Sequence, residues 1–172
     1  VAPAQGWVNT SLQGPSGSTW EGGLVYDPVQ QDMVLMRGSQ VWRYDGQNWS
    51  APALLPQVQL GGTSEYISAI SNPVWDALHG TIRFCCYASS VGLGCFAEWD
   101  GQVVTNLGSL PGNTQWNYTA EVQLVYDAHL DRIVCVNGNM QSNYGGIRRA
   151  YRWDEVNAQW QSLMAGAAPP LY

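Results

Sequence analysis

Leu24-Val25-Tyr26-Asp27-Pro28-Val29-Gln30-Gln31-Asp32-Met33-Val34-Leu35-Met36-Arg37-Gly38 returns without a gap, 100 residues later, as Leu124-Val125-Tyr126-Asp127-Ala128-His129-Leu130-Asp131-Arg132-Ile133-Val134-Cys135-Val136-Asn137-Gly138. A third version lies between them at an offset of 49, running Pro73-Val74-Trp75-Asp76-Ala77-Leu78-His79-Gly80-Thr81-Ile82-Arg83-Phe84-Cys85. Each copy reads as strand, tight turn, strand. A second shared element follows each: Val41-Trp42-Arg43-Tyr44-Asp45-Gly46-Gln47-Asn48-Trp49, then Phe96-Ala97-Glu98-Trp99-Asp100-Gly101-Gln102-Val103, then Ala150-Tyr151-Arg152-Trp153-Asp154 through Gln159-Trp160. It is again strand, turn, strand, with Asp-Gly or Glu-Val-Asn-Ala at the bend. A leucine-and-proline exit closes each unit, at Leu54-Leu55-Pro56, at Leu110-Pro111, and at Leu163 with Pro169-Pro170.

Each period of about 50 residues therefore holds four short strands. No stretch sustains a helical apolar period, and Gly or Pro interrupts every candidate window, so the array is β rather than a helical solenoid. Four strands per unit at this spacing predict propeller blades. The expected fold is all-β: one β-propeller or half-propeller domain over 1–172, with four-stranded antiparallel blades at about 16–56, 57–111 and 112–172. Residues 1–15 are expected to add an extra outer strand, because Gly6-Trp7-Val8-Asn9-Thr10-Ser11-Leu12 resembles Asn48-Trp49-Ser50-Ala51-Pro52.

The order aromatic-Asp, turn, apolar strand, Gly, variable loop, aromatic-Asp-Gly, Trp and Leu-Pro resembles the kelch-type β-propeller repeat over roughly residues 16–165. The family's glycine pair after the second strand stands here as Arg37-Gly38 and Asn137-Gly138, and as Tyr87-Ala88 in the middle unit, without glycine. The copper site known on kelch-type folds needs His and Tyr ligands with a Tyr-Cys crosslink, which the two histidines, both in turns, do not match. Gly17-Ser18-Thr19-Trp20 echoes the sialidase Asp-box but places Pro15 where its defining Asp belongs.

Composition narrows the partners. Only 12% of the residues are charged, about half the usual share. The net charge is −6, lysine is absent, and of the seven arginines only Arg148 and Arg149 are adjacent. Neither nucleic acid nor an anionic membrane finds a basic footprint here. No apolar run approaches a membrane span. The chain opens Val1-Ala2-Pro3-Ala4 with no initiator Met and no charged-then-apolar leader, which reads as a mature product or an excised piece. Few charges and many tryptophans suit an extracellular or surface protein. Asn9, Asn48 and Asn117 open glycosylation sequons, which bear on the chain only in a secreted eukaryotic setting.

Cys85, Cys86, Cys95 and Cys135 show no CxxC spacing, and His79 and His129 stand alone, so no zinc site and no cofactor are expected. Adjacent strand residues face opposite ways. One of Cys85 and Cys86 is therefore expected to meet Cys95 across the middle hairpin, Cys86–Cys95 being the favoured pair, while an interblade bond to Cys135 and buried free thiols stay open.

Tyr26-Asp27, Trp75-Asp76 and Tyr126-Asp127 place carboxylates at equivalent positions, as do Asp45, Asp100 and Asp154. Recurrence in every unit points to turn caps rather than catalysis. Trp7, Trp49 and Trp160 share one repeat position and are expected in the core, and Tyr44, Trp99 and Trp153 between blades. Trp20 and Trp116, with Asn117 and Tyr118, fall in loops leading into inner strands, where aromatic faces beside amides and hydroxyls suit a sugar. The loop 139–149 is the largest insertion relative to the first unit, and its Tyr144, Arg148 and Arg149 are residue types favoured at interfaces.

The expected function is a non-catalytic secreted or surface module that recognises protein or glycan and assembles through its blades, by self-association or with further blades. A lectin or carbohydrate-active enzyme completed by other blades or subunits is the alternative, and a fibre or virion subunit a third. A glycosidase needs two carboxylates across one cleft, for which Glu21, Glu65, Glu98 and Glu121 are available.

Overall fold

The structure, a computed structural model, describes residues 15, 22–110, 122–137 and 149–163. It is all-β, with no helix among the described residues and four antiparallel sheets. The predicted strand in 1–15 lies outside the described residues.

The first sheet holds β1 (Gly23–Asp27), β2 (Asp32–Arg37), β3 (Gln40–Tyr44) and β4 (Ala53–Leu54), hydrogen-bonded in that order. The third repeats it with β12 (Val122–Asp127), β13 (Arg132–Asn137), β14 (Arg149–Asp154) and β15 (Gln159–Ser162). The sequence repeat is thus a sheet repeat: Val25 pairs Val34 and Val34 pairs Arg43, as Val125 pairs Val134 and Val134 pairs Arg152.

The middle unit departs from the expected four plain strands. Its sheet is built on β9 (Thr81–Ala88), β10 (Leu93–Trp99) and β11 (Val104–Ser109), and its inner strand is split into β7 (Ala69–Ile70) and β8 (Val74–Asp76). Ile70 pairs Cys86 but Val74 pairs Arg83, so one extra residue is accommodated between them. Pro73, with no N–H to donate, sits in that gap, on an edge strand where a bulge tolerates it. Ahead of this sheet stands an additional hairpin of β5 (Val58–Leu60) and β6 (Thr63–Glu65). Its two-residue turn puts Gly61 at φ 58° and Gly62 at φ 88°, the type I′ signature that glycine adopts freely. Glu65 ends β6 and accepts from the Ser90 hydroxyl.

The three larger sheets stack face on face. One core cluster joins Val25, Val34, Met36 and Val41 of the first sheet to Ile82, Phe84, Cys86, Ala97 and Trp99 of the second, with Val58 and Leu60 of the extra hairpin. The other joins Cys85 and Phe96 of the second sheet to Leu124, Ile133, Cys135, Tyr151 and Trp153 of the third. The middle sheet is covered on both faces, which is why β9 is buried at nearly every position rather than at alternate ones. Trp99 and Trp153 lie between sheets, as expected, and Trp160 joins the second cluster, stacking at 4.8 Å from the Phe96 centroid. Tyr44 and Trp49 do not lie between sheets: they stack on each other at 5.1 Å and stay partly exposed.

Candidate functional site

One end of the stack is occupied by turns that begin with aspartate. Asp27 Oδ1 accepts from the Val29 and Gln30 N–H at 3.0 and 3.1 Å, Asp76 Oδ1 from Leu78 and His79 at 3.0 and 3.3 Å, and Asp127 Oδ1 from His129 and Leu130 at 3.0 and 3.2 Å. Asp45, Asp100 and Asp154 accept in the same way from residues two and three ahead. These bonds hold the three carboxyls below the usual range: Asp45 chiefly through the Asn48 N–H, Asp100 through that of Val103, and Asp154 through the Asn157 side chain. All six aspartates are turn caps. The fifth residue of four of these turns takes a left-handed φ, at Gln31 (59°), Gly80 (66°), Asp131 (48°) and Ala158 (48°). Only one of the four is glycine, so composition alone does not mark the conformation.

Charge at this end is paired across strands and sheets. Arg43 Nη1 donates to Asp27 at 3.0 Å and Asp32 at 2.8 Å, and its guanidinium lies 5.4 Å from the Trp99 ring centroid of the next sheet. Burial alone would pull this guanidinium down, but the Asp32 and Asp27 hydrogen bonds outweigh it and the net shift is upward. In the middle sheet Arg83 is 1% exposed. Its Nε lies 2.9 Å from Asp76 Oδ2 and its Nη2 3.5 Å from Glu98, while Nη1 pairs with Glu155 of the third sheet's β14–β15 turn. The Nε contact is within ion-pair range but misaligned for a hydrogen bond, so it acts through charge. On the third sheet the Tyr126 phenol donates to Asp131, and that bond, ahead of desolvation and the charge of Asp131, pushes it up to about 12.

Asp76, His79 and Glu155 bring one ligating atom each within 4.8 Å of one another. They do not make a metal site. Asp76 Oδ2, the atom that faces His79 Nδ1 at 2.9 Å, is also the atom that faces Arg83 Nε, and Glu155 is on Nη1. The guanidinium already occupies the place of the cation. Glu98 and Glu155 both lie against the same buried arginine. A cavity of about 80 Å³ beside Arg43, Trp75 and Trp99 has the volume of a few water molecules, and the buried Trp99 Nε1 finds no acceptor among the described residues.

The opposite end carries the β2–β3 type of connection and the segments leading into the inner strands. Val122 pairs Asn137, which pairs Arg149, so the segments 111–121 and 138–148 both leave the third sheet at this one end. Trp20, Trp116, Asn117, Tyr118, Tyr144 and Arg148 lie outside the described residues, as do the side chain of Arg149 and the sequon residues Asn9 and Asn117. Asn48 is exposed in the β3–β4 turn at the aspartate end. What the fold brings together among the candidate positions is therefore the attachment of two loops, not a set of side-chain contacts.

Cys86 is bonded to Cys95, the two standing directly opposite each other with Cα atoms 5.3 Å apart. The hairpin between them is tight: β9 runs to Ala88, and only residues 89–92 make the turn. Cys85, on the other face, is free and buried beside Cys135, and burial first, then the Cys135 thiol, pushes the Cys85 thiol well up, so it stays protonated. Denaturation without reductant is expected to expose two titratable thiols, and four would exclude the bond. Reduction is expected to cost about 2–3 kcal/mol, the loop-entropy value for a closed loop of this size, read as a lowered denaturation midpoint.

No family model, curated protein or solved structure matches this chain. No helix among the described residues is long and apolar enough to cross a membrane.

Proposed function

We propose that the chain is a non-catalytic recognition module of kelch-like propeller blades, secreted or surface-borne, that takes a glycan or protein ligand at its loop end. The observation that carries this is the asymmetry between the two ends. At the aspartate end all six repeated carboxylates cap turns and the buried arginine is matched by acids, so these groups are held in structural contacts. At the other end, the segments bearing Trp116, Asn117 and Tyr118 and bearing Tyr144 and Arg148 leave the third sheet side by side. Indole faces with amides and hydroxyls suit the apolar face and the hydroxyls of a sugar ring. Blades stacked at their faces hold such loops on a rigid base. The Cys86–Cys95 bond is consistent with an oxidising compartment.

Trp116→Ala tests the site. Loss of binding to an array of neutral glycans, at least tenfold and with an unchanged melting temperature, is expected. A wild-type chain that binds no glycan on the array, or a variant that binds as wild type does, removes the glycan reading. A variant destabilised by about 3–5 kcal/mol makes Trp116 a core residue instead.

A further inference from the structure

Each of the three large sheets has two different faces, and the chain joins them in one sense only. The face that carries Val25, Val34 and Arg43 on the first sheet packs against the opposite kind of face on the second, which presents Trp75, Ile82 and Trp99. The second sheet's own Arg83-and-Phe96 face packs in the same sense on the third, whose Tyr126, Ile133 and Trp153 correspond by repeat position to Trp75, Ile82 and Trp99. One junction geometry is thus used twice in succession.

Two faces meet no further sheet among the described residues, one of each kind. On the third sheet, Val125, Val134 and Arg152 form one cross-strand row, the repeat counterpart of Val25, Val34 and Arg43. On the first sheet, Tyr26, Met33 and Tyr44 form another, the counterpart of Trp75, Ile82 and Trp99. Val125 is 53% exposed and Tyr26 49%. Aliphatic, aliphatic, arginine thus stands at one end of the stack, and aromatic, thioether, aromatic at the other, the latter partly exposed and beside Trp42, which is 7% exposed on the same face. We infer that the third sheet of one copy docks on the first sheet of a second copy, head to tail, so that two chains close a ring of six sheets. Arg152 then lies over the Tyr44 ring as Arg43 lies over Trp99. The occupant is a second copy because both halves of the junction are present in one chain and the same pairing already holds its own sheets together. Two copies give each sheet a neighbour on both faces, within the four to eight blades at which propellers close. The inference rests on reading the sheets as successive blades and not on any ligand, so it fails or stands apart from the glycan reading.

Sedimentation of the full chain at tens of micromolar is expected to give a mass near twice 18.9 kDa. Val125→Asp alone and Tyr26→Asp alone are each expected to be monomeric, since each removes one half of every junction. Mixed in equal amounts they are expected to form pairs again, more weakly than wild type, through the one junction whose two faces are both intact. Far-UV circular dichroism and a cooperative melt establish that both variants are folded, and the milder Arg152→Ala, expected to weaken association by about fivefold to thirtyfold, serves if either is not. A wild-type monomer overturns the proposal and leaves both faces to a different protein. A dimer that survives either single charge substitution, or variants that do not complement on mixing, overturns the head-to-tail arrangement.

Discussion

Arg83→Met is expected to destabilise the fold by about 3–5 kcal/mol, a large share of the 5–15 kcal/mol that separates a folded domain from its unfolded chain. Arg83 is 1% exposed and is the permanent cation placed against Asp76, whose side chain is 3% exposed and also faces His79 Nδ1 at 2.9 Å. Methionine fills much of the same volume but removes the permanent counter-charge from that carboxylate, leaving the His79 ring beside it. Asp76 keeps its Leu78 and His79 N–H bonds, which limits the loss. Glu98 and Glu155 are more exposed and recover water. The discriminating measurement is a urea titration of Arg83→Met, Asp76→Asn and the double variant. The double variant is expected to be more stable than the sum of the two single losses implies, because it removes the stranded charge along with the arginine. Additive losses would show that Arg83 acts through packing alone.

Phe96→Ala is expected to cost about as much, 3–5 kcal/mol, by a different mechanism. The ring is fully buried where the second sheet meets the third, 4.8 Å from the centroids of both Trp153 and Trp160. The two indoles also meet each other at 5.2 Å, so the benzyl group closes a three-ring cluster that packing cannot refill from one side. Trp160 is tied by its Nε1 to Ser109 O at 3.1 Å on the second sheet's outer strand and cannot follow freely into the gap. A lowered denaturation midpoint with a red-shifted tryptophan emission is the expected reading. Trp49→Ala, at a half-exposed stack of two rings, is expected to cost well under half as much. Equal losses from the two changes would show that burial at the sheet junction does not set the cost of losing an aromatic ring. Arg83 lies 6.0 Å from the Phe96 ring, so the two variants are neighbours and their effects are not expected to add.

The repeat units, the strand-turn-strand pattern and the six aspartate caps are legible in the residues because they are local. A cap is formed between residues two or three apart, and a period-two apolar pattern fixes which side chains share a face. The extra hairpin was legible too: Val58-Gln59-Leu60 before Gly61-Gly62 is a standard two-residue turn signal, overshadowed by the stronger 50-residue period. The candidate loop residues were singled out by type and by position between strands, and topology adds that two of their segments leave one sheet end together.

The cysteine pairing shows where local reading stops. Opposite facing of Cys85 and Cys86 follows from strand geometry, but which of them meets Cys95 depends on the parity of the turn, and the four-residue turn at 89–92 selects Cys86. Arg83 shows the same limit more sharply. At its repeat position the other units carry Val34 and Val134, and nothing near it in sequence accounts for a buried guanidinium. Its acids come from Asp76 across the hairpin, Glu98 on the neighbouring strand and Glu155, 72 residues away on another sheet. Residue order alone is enough for the unit, its strands, its turns and the apolar face of each strand, since these follow from backbone hydrogen bonding and side-chain alternation within a few residues. Which face meets which, which thiols are joined and which charges are buried were settled only by the stacking of the sheets, because those outcomes depend on distances between residues far apart in the chain.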